Sequence, residues 1–293
     1  MLRRIARAAV LAGALTAAPA LAQTQPPESD STVVITDRNM EDAVRDFVAE
    51  IGAAPDGANL ARFDGTVCVG AHNITPEFAQ KLIDQVSLVA VAVGLEPGEP
   101  GCKPNVLIMA STDGDALAAR LVKDHFQKFR PVQTDGANLG KEALDLFQNS
   151  DAPVRWWHVT QTVLVDTGEA FERGASVRVR SSGRLESSVR QEMSHVLIIL
   201  DTSRMGSVSF GSLADYVAMV SLAQLEAKAD TSDFPSILNL FTNSAGDRGK
   251  RMTQWDLDYL VALYGTKGNA PNANREANRI ANNMVRQQKE AQD

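Results

Sequence analysis

Apolar residues recur at helical spacing along two stretches of the first half of the chain. Met40, Ala43, Val44, Phe47, Val48 and Ile51 predict a helix at about 39–52. Phe78, Leu82, Ile83, Val86, Val89, Ala90 and Val93 predict a second at about 76–94. Short β-prone runs predict strands at 33–36, 63–69 and 105–110, the last reading NVLIMA, and a further helix follows at about 113–129, begun by Ser111 and Asp113. The order β-α-β-α-β-α allows a small parallel sheet. Residues 130–154 hold turn formers around a short helical piece and mark a boundary.

Beyond that boundary the period changes to two. In WWHVTQTVLVD, Trp157, Val159, Val163 and Val165 fall on one face, while Trp156, His158, Thr160 and Thr162 fall on the other. ASVRVRS, 175–181, alternates again, which predicts a long β-hairpin around DTGEAFERG. Leu185, Val189, Met193 and Val196 step by four, four and three, the spacing of an amphipathic helix over 184–195, and VLIIL, 196–200, reads as a buried strand. Ser212 with Asp215, and Thr253 with Asp256, have the spacing of capping boxes opening two late helices. From Lys267 onward the chain is rich in Asn, Arg and Gln without a broad apolar face, as in a frayed helix or a disordered tail.

The fold class expected is α+β, with two α/β layer domains and a long hairpin opening the second. The divisions are a signal peptide at 1–22, a flexible leader at 23–32, an N-terminal α+β domain at 33–130, a linker at 131–154, a C-terminal α+β domain at 155–265 and a polar tail at 266–293. The signal peptide is read from Arg3, Arg4 and Arg7, the small and apolar run Ala8 to Ala18, and Ala20-Leu21-Ala22 as a cleavage site. Its apolar run is shorter than the roughly 20 residues a membrane helix needs, no later run matches it, and no Cys follows Ala22 to carry a lipid. Export to the periplasm or the exterior is therefore expected, without a membrane span.

Cleavage would remove three arginines and no acids from 29 basic and 36 acidic residues, taking the formal charge from −7 to −10. With aromatic residues at only 5%, such a chain lacks the basic, stacking surface that nucleic acid requires. Cys68 and Cys102 are the only cysteines, and in an oxidising compartment they are expected to form a disulfide, adding roughly 3 to 4 kcal/mol. With Cys68 placed at the end of one strand and Cys102 before the next, the bridge requires antiparallel neighbours, or a loop at 95–104 that doubles back.

The stretch RQEMSHVLIILD, 190–201, resembles the metal-binding helix of the zincin proteases, and the resemblance extends weakly to SILNLF and MTQWDLDYLVALY, covering residues 191–264. It implies Glu192 as general base, with His195 and Asp201 as metal ligands, in a metal-dependent hydrolase. The pattern departs from the family where Gln191 replaces the first histidine, Ile198 the turning glycine and Leu238 the methionine under the metal. An active zinc site is accordingly not expected, nor is any other cofactor. SVRQEMSHVLIILDTSRM and LADYVAMVSLAQL also resemble a family of exported proteobacterial proteins, which implies export and no particular activity.

No nucleophile elbow, Walker loop or dinucleotide fingerprint occurs. His72 and His125 have no sequence partners, and His158 reads as an exposed or hydrogen-bonded histidine. Arg173, Arg178, Arg180, Arg184 and Arg190 form a basic cluster in an acidic chain, and Arg178, Arg180 and Arg184 are the candidate binding residues. The function expected is an exported, non-enzymatic binding or accessory protein for an unknown protein or an anionic ligand.

Overall fold

The computed structural model describes residues 37–54, 58–129, 139–170, 185–242 and 251–291. The predicted strands at 33–36 and 175–181 therefore lie outside the described residues, as do Arg173, Arg178, Arg180 and Arg184. The elements are α1 (Asp37–Ile51), β1 (Thr66–Val67), β2 (Val69–His72), α2 (Pro76–Ala92), β3 (Glu96–Pro97), β4 (Val106–Ser111), α3 (Gly114–Asp124), α4 (Phe126–Phe129), α5 (Gly140–Asn149), β5 (Val154–Leu164), β6 (Val189–Asp201), α6 (Phe210–Leu222), a 3-10 turn at Ile237–Phe241, α7 (Gln254–Tyr264) and α8 (Ala273–Glu290). The arrangement is α+β. β1 pairs with β3 in a small parallel ribbon, and the main sheet has the order β2-β4-β6-β5.

β2, β4 and β6 are parallel to one another, and β5 runs antiparallel to β6 along the sheet edge. β2 and β4 come from the chain before residue 130 and β5 and β6 from after 153, in the same sheet. Both faces are covered. Val106, Ile108, Val196, Ile198 and Leu200 join a large core with apolar residues of α1, α2, α6, α7 and α8. Met109, Ile199 and Trp157 turn the other way and pack with Phe129, Leu144 and Phe147. A strand buried on both sides needs apolar residues at every position, which is why VLIMA and VLIIL read as unbroken runs.

The stretch expected to be a helix over 184–195 is instead the first half of β6. The periodicity misleads because of a β-bulge: Val159 faces His195 and Thr160 faces Met193, so Ser194 is an extra residue on β6, and its hydroxyl donates to the Val159 carbonyl at 3.0 Å. A bulge shifts the alternation by one. Met193 and Val196, three apart, thereby reach the same core face, giving a strand the four-and-three spacing of a helix.

The disulfide forms, with Cys68 and Cys102 at a Cα separation of 6.1 Å. Of the two arrangements expected to allow it, antiparallel neighbours do not form, but the segment at 95–104 doubles back, with Glu96–Pro97 beside β1 and Gly98 N–H donating to the Val67 carbonyl. Cys68 lies between β1 and β2 and Cys102 precedes β4, so parallel strands bring both cysteines to the same end of the sheet. Asn105 N–H and Val106 N–H both donate to the Cys68 carbonyl, and Asn105 Oδ1 accepts from Cys68 N–H at 2.8 Å. Gly98 allows the chain to lie against the bridge, since a Cβ there would sit 2.5 Å from Cys102 Sγ.

Thr253 and Asp256 form the expected capping box at α7. At α6 the cap is Ser209, whose side chain accepts from Ser212 N–H, while Ser212 itself is buried inside the helix. The polar C-terminal stretch folds as α8, capped by Asn272 and buried at Ile280, Ala281, Met284 and Val285. Its docking is fixed by Glu276, which pairs with the Arg62 guanidinium and accepts from Leu60 N–H at 2.6 Å.

Candidate functional site

On a strand, the zincin-like residues cannot work together. His195 and Asp201 are six positions apart on β6, about 20 Å at roughly 3.3 Å per residue. Glu192 is hydrogen-bonded to Arg190, whose Nε donates at 3.0 Å and whose Nη2 donates at 2.6 Å. His195 is partly buried, and burial, followed by the positive charges of Lys128 and Lys103, lowers its pKa. The SILNLF turn and the capped α7 do form, but the helix packed against that turn is α6, whose sequence contains no histidine. Among the described residues, no group of three or more His, Cys, Asp and Glu side chains is placed to hold a metal ion.

Asp201 has a structural role at the carboxyl end of β6. Burial raises its pKa, but hydrogen bonds from Ser203 Oγ and from the Gly114 and Ser203 N–H groups, with the charge of Arg204, outweigh burial and leave the carboxyl below its ordinary value. Arg155, buried beneath it, divides its guanidinium between Asp115, Asp201 and the Gln148 carbonyl. Each of these groups is satisfied by its neighbours, so the cluster locks α3 and α5 to the sheet.

A polar cleft of about 400 Å³ is lined among others by Arg62, Asp64, Glu96, Arg190, Tyr264 and Lys267. Its size falls within the range of small-molecule sites. One wall is the turn after α2, where Gly94 takes φ +87°, a left-handed conformation that glycine adopts without strain. The floor is held by Arg62, which donates to the carbonyls of Leu263, Thr266 and Leu60 as well as to Glu276. Tyr264 donates its hydroxyl to the Leu222 carbonyl at 2.8 Å, and burial raises its pKa, so it stays neutral. Arg190 reaches Asp64 and Glu192. Lys267 is exposed, and no carboxylate among the described residues pairs with it. Of these residues, only Arg190 stood out in the sequence. Arg62, in the apolar setting Leu60-Ala61-Arg62-Phe63, carries a signal in the sequence, since a charge inside such a run needs a partner.

A second, smaller opening lies along the outer edge of β5 and holds His158. His158 is buried and not exposed, and its Nε2 lies 2.9 Å from the Val220 carbonyl. A carbonyl only accepts, so Nε2 carries the proton and Nδ1 is bare; it has no partner. Burial lowers the pKa to about 4, with the Val220 hydrogen bond opposing. The folded value is below the unfolded one, so this residue's contribution to stability is complete above about pH 6.5 and lost as pH falls toward 4, to a total of about 3 kcal/mol. Urea unfolding at both ends of that range, in the wild type and in His158→Gln, should show the acid loss shrinking in the variant. An equal loss in both would mean that His158 titrates normally.

Comparison of the chain with protein-family models, with curated proteins and with solved structures found no match.

Proposed function

We propose that the protein is an exported, non-enzymatic binding protein that takes an anionic ligand in the cleft beside Arg190. The observation that carries this reading is the set of cations Arg62, Arg190 and Lys267 lining one cleft of an acidic chain, where Arg62 and Arg190 already meet carboxylates and Lys267 has no carboxylate partner among the described residues. A carboxylate or phosphate group could pair with Lys267 at the rim and share Arg190 with Asp64 and Glu192. Export is supported by the N-terminal pattern of basic, apolar and small residues and by the disulfide, a bond suited to an oxidising compartment. No helix among the described residues is long and apolar enough to cross a membrane. The hydrolase alternative draws no support from Glu192, His195 and Asp201 spread along a strand.

Calorimetric titration with citrate and with inorganic phosphate tests the proposal. At least one anion should bind, more weakly as salt is added, and Lys267→Glu should lower the affinity about fivefold, near 1 kcal/mol. If neither anion binds, or if Lys267→Glu binds unchanged, the cleft is not the site. A loss that follows Arg178→Glu with Arg180→Glu instead, in a protein that still folds, would move the site to the arginines of residues 178–184.

A further inference from the structure

We infer that the ligand carries two anionic groups, the first in the cleft beside Arg190 and the second in a neighbouring opening across Lys267, an inference that rests on the anionic reading of the cleft. This second opening is shallow, measures about 340 Å³ and is lined by Gly265, Thr266, Lys267, Arg279, Asn282 and Asn283. Thr266 and Lys267 line the cleft as well, so one ridge of chain separates the two.

The ridge is the connection between α7 and α8, and buried side chains fix it. Arg62 Nη1 donates to the Leu263 carbonyl at 2.5 Å and to the Thr266 carbonyl at 2.9 Å, and Thr266 Oγ accepts from the same nitrogen. Asn59 Nδ2 donates to the Gly268 carbonyl at 3.2 Å and to the Ala270 carbonyl at 2.8 Å. Gly268 takes φ +67°, and a Cβ there would lie 3.2 Å from the Arg62 guanidinium, so the chain turns directly over that side chain. Lys267 therefore has an anchored backbone and an exposed side chain. A site ordered in advance loses less entropy on binding.

The far wall of the opening is α8. Arg279, Asn282 and Asn283 are three and four residues apart, which puts them on one face of the helix. Arg279 Nη2 donates to the Leu185 carbonyl at 3.0 Å, a bond that orients the guanidinium without neutralising it. Glu276 feels the charge of Arg279, but it is buried and paired with Arg62. The side-chain carbonyls of Asn282 and Asn283 accept from Arg45 at 3.5 Å and from Arg286 at 3.2 Å, which leaves both NH2 groups as donors. No carboxylate among the described residues lines this opening, whereas Asp64 and Glu96 line the cleft. Two cations and two amide donors suit the oxygens of a carboxylate or a phosphate. Lys267, a point charge on a flexible stem, can pair with either group. Once one group is bound, the second binds as part of the same molecule, so a ligand whose spacer matches the span gains affinity over a single group.

Methylphosphonate supplies one group, and alkane bisphosphonates of increasing spacer length supply two, with the same charge throughout the series. In calorimetric titration of the disulfide-bonded protein, one spacer length should bind about tenfold tighter than methylphosphonate, with shorter and longer members weaker. Arg279→Gln should bring that member to within about twofold of methylphosphonate. Arg275→Gln removes the same charge from an exposed position of α8 outside the opening, and should leave the preferred member within about twofold of its wild-type affinity. The side-chain NH2 resonances of Asn282 and Asn283 should also move when the wild type is saturated with that member. If methylphosphonate binds but no bisphosphonate exceeds it, if affinity rises with no preferred spacer, if Arg275→Gln costs as much as Arg279→Gln, or if the Asn resonances stay in place, the second site is refuted while the anionic cleft stands. If neither methylphosphonate nor any bisphosphonate binds, the reading of the cleft fails and this inference fails with it.

Discussion

Arg62→Met is expected to destabilise the protein by about 3 to 5 kcal/mol, because it strands a buried carboxylate. Glu276 is 1% exposed, and without Arg62 its remaining partner is the Leu60 N–H. The carbonyls of Leu263 and Thr266 lose a donor in the same step. Burial pushes the Glu276 pKa up even in the wild type, with the Arg62 charge opposing, so removing Arg62 should drive the carboxyl toward its neutral form. The cost of the variant should therefore shrink as the pH is lowered. Replacing both partners, Arg62→Met with Glu276→Leu, should cost less than the single change, since apolar groups need no partners. Urea unfolding of the three proteins is the measurement. A single-variant loss below about 1 kcal/mol would mean that α8 is held by its apolar face alone.

Removing the disulfide is expected to cost a similar amount. Cys68 and Cys102 are 34 residues apart in sequence, and closing a loop of that length is worth about 4 kcal/mol in the chain-entropy model. Cys68→Ala with Cys102→Ala, compared with the wild type by chemical unfolding, should show a loss of that order, with the earliest hydrogen exchange around β2 and the approach to β4. Denatured, unreduced protein should contain no titratable thiol. A stability change under about 1 kcal/mol would indicate that the reduced chain already holds residues 68 and 102 together, through Asn105 and the Cys68 carbonyl.

The helices that carry a broad apolar stripe were legible from spacing alone: α1 and α2 fall within a few residues of expectation. The cap at Thr253 was legible because its chemistry is local. β6 was not, because the bulge at Ser194 imitates a helical step, and nothing in a local window marks a bulge. The parallel pairing of Val106 with Val196 joins residues far apart in the chain, and periodicity says which face is apolar without saying which strand is next to it. α8 looked unstructured because Ile280, Ala281, Met284 and Val285 form a narrow stripe among Asn, Arg and Gln. Both openings escaped for a related reason. The cleft gathers Arg62, Arg190 and Lys267 from distant segments. The neighbouring opening depends on Lys267 being held beside Arg279 by the bond from Arg62 to Thr266, which spacing does not reveal.

The cleft has the described form only if residues 189–201 run as a strand between β4 and β5. Nuclear Overhauser contacts in the native, disulfide-bonded protein test this directly. The expected pattern is extended along 189–201, with cross-strand contacts from the Val196 amide to Asn105 on one side and from the Asp201 amide to Pro153 on the other. A run of sequential amide–amide contacts from Arg190 to His195, without those cross-strand partners, would contradict it and restore the helix on which a zinc-protease reading depends.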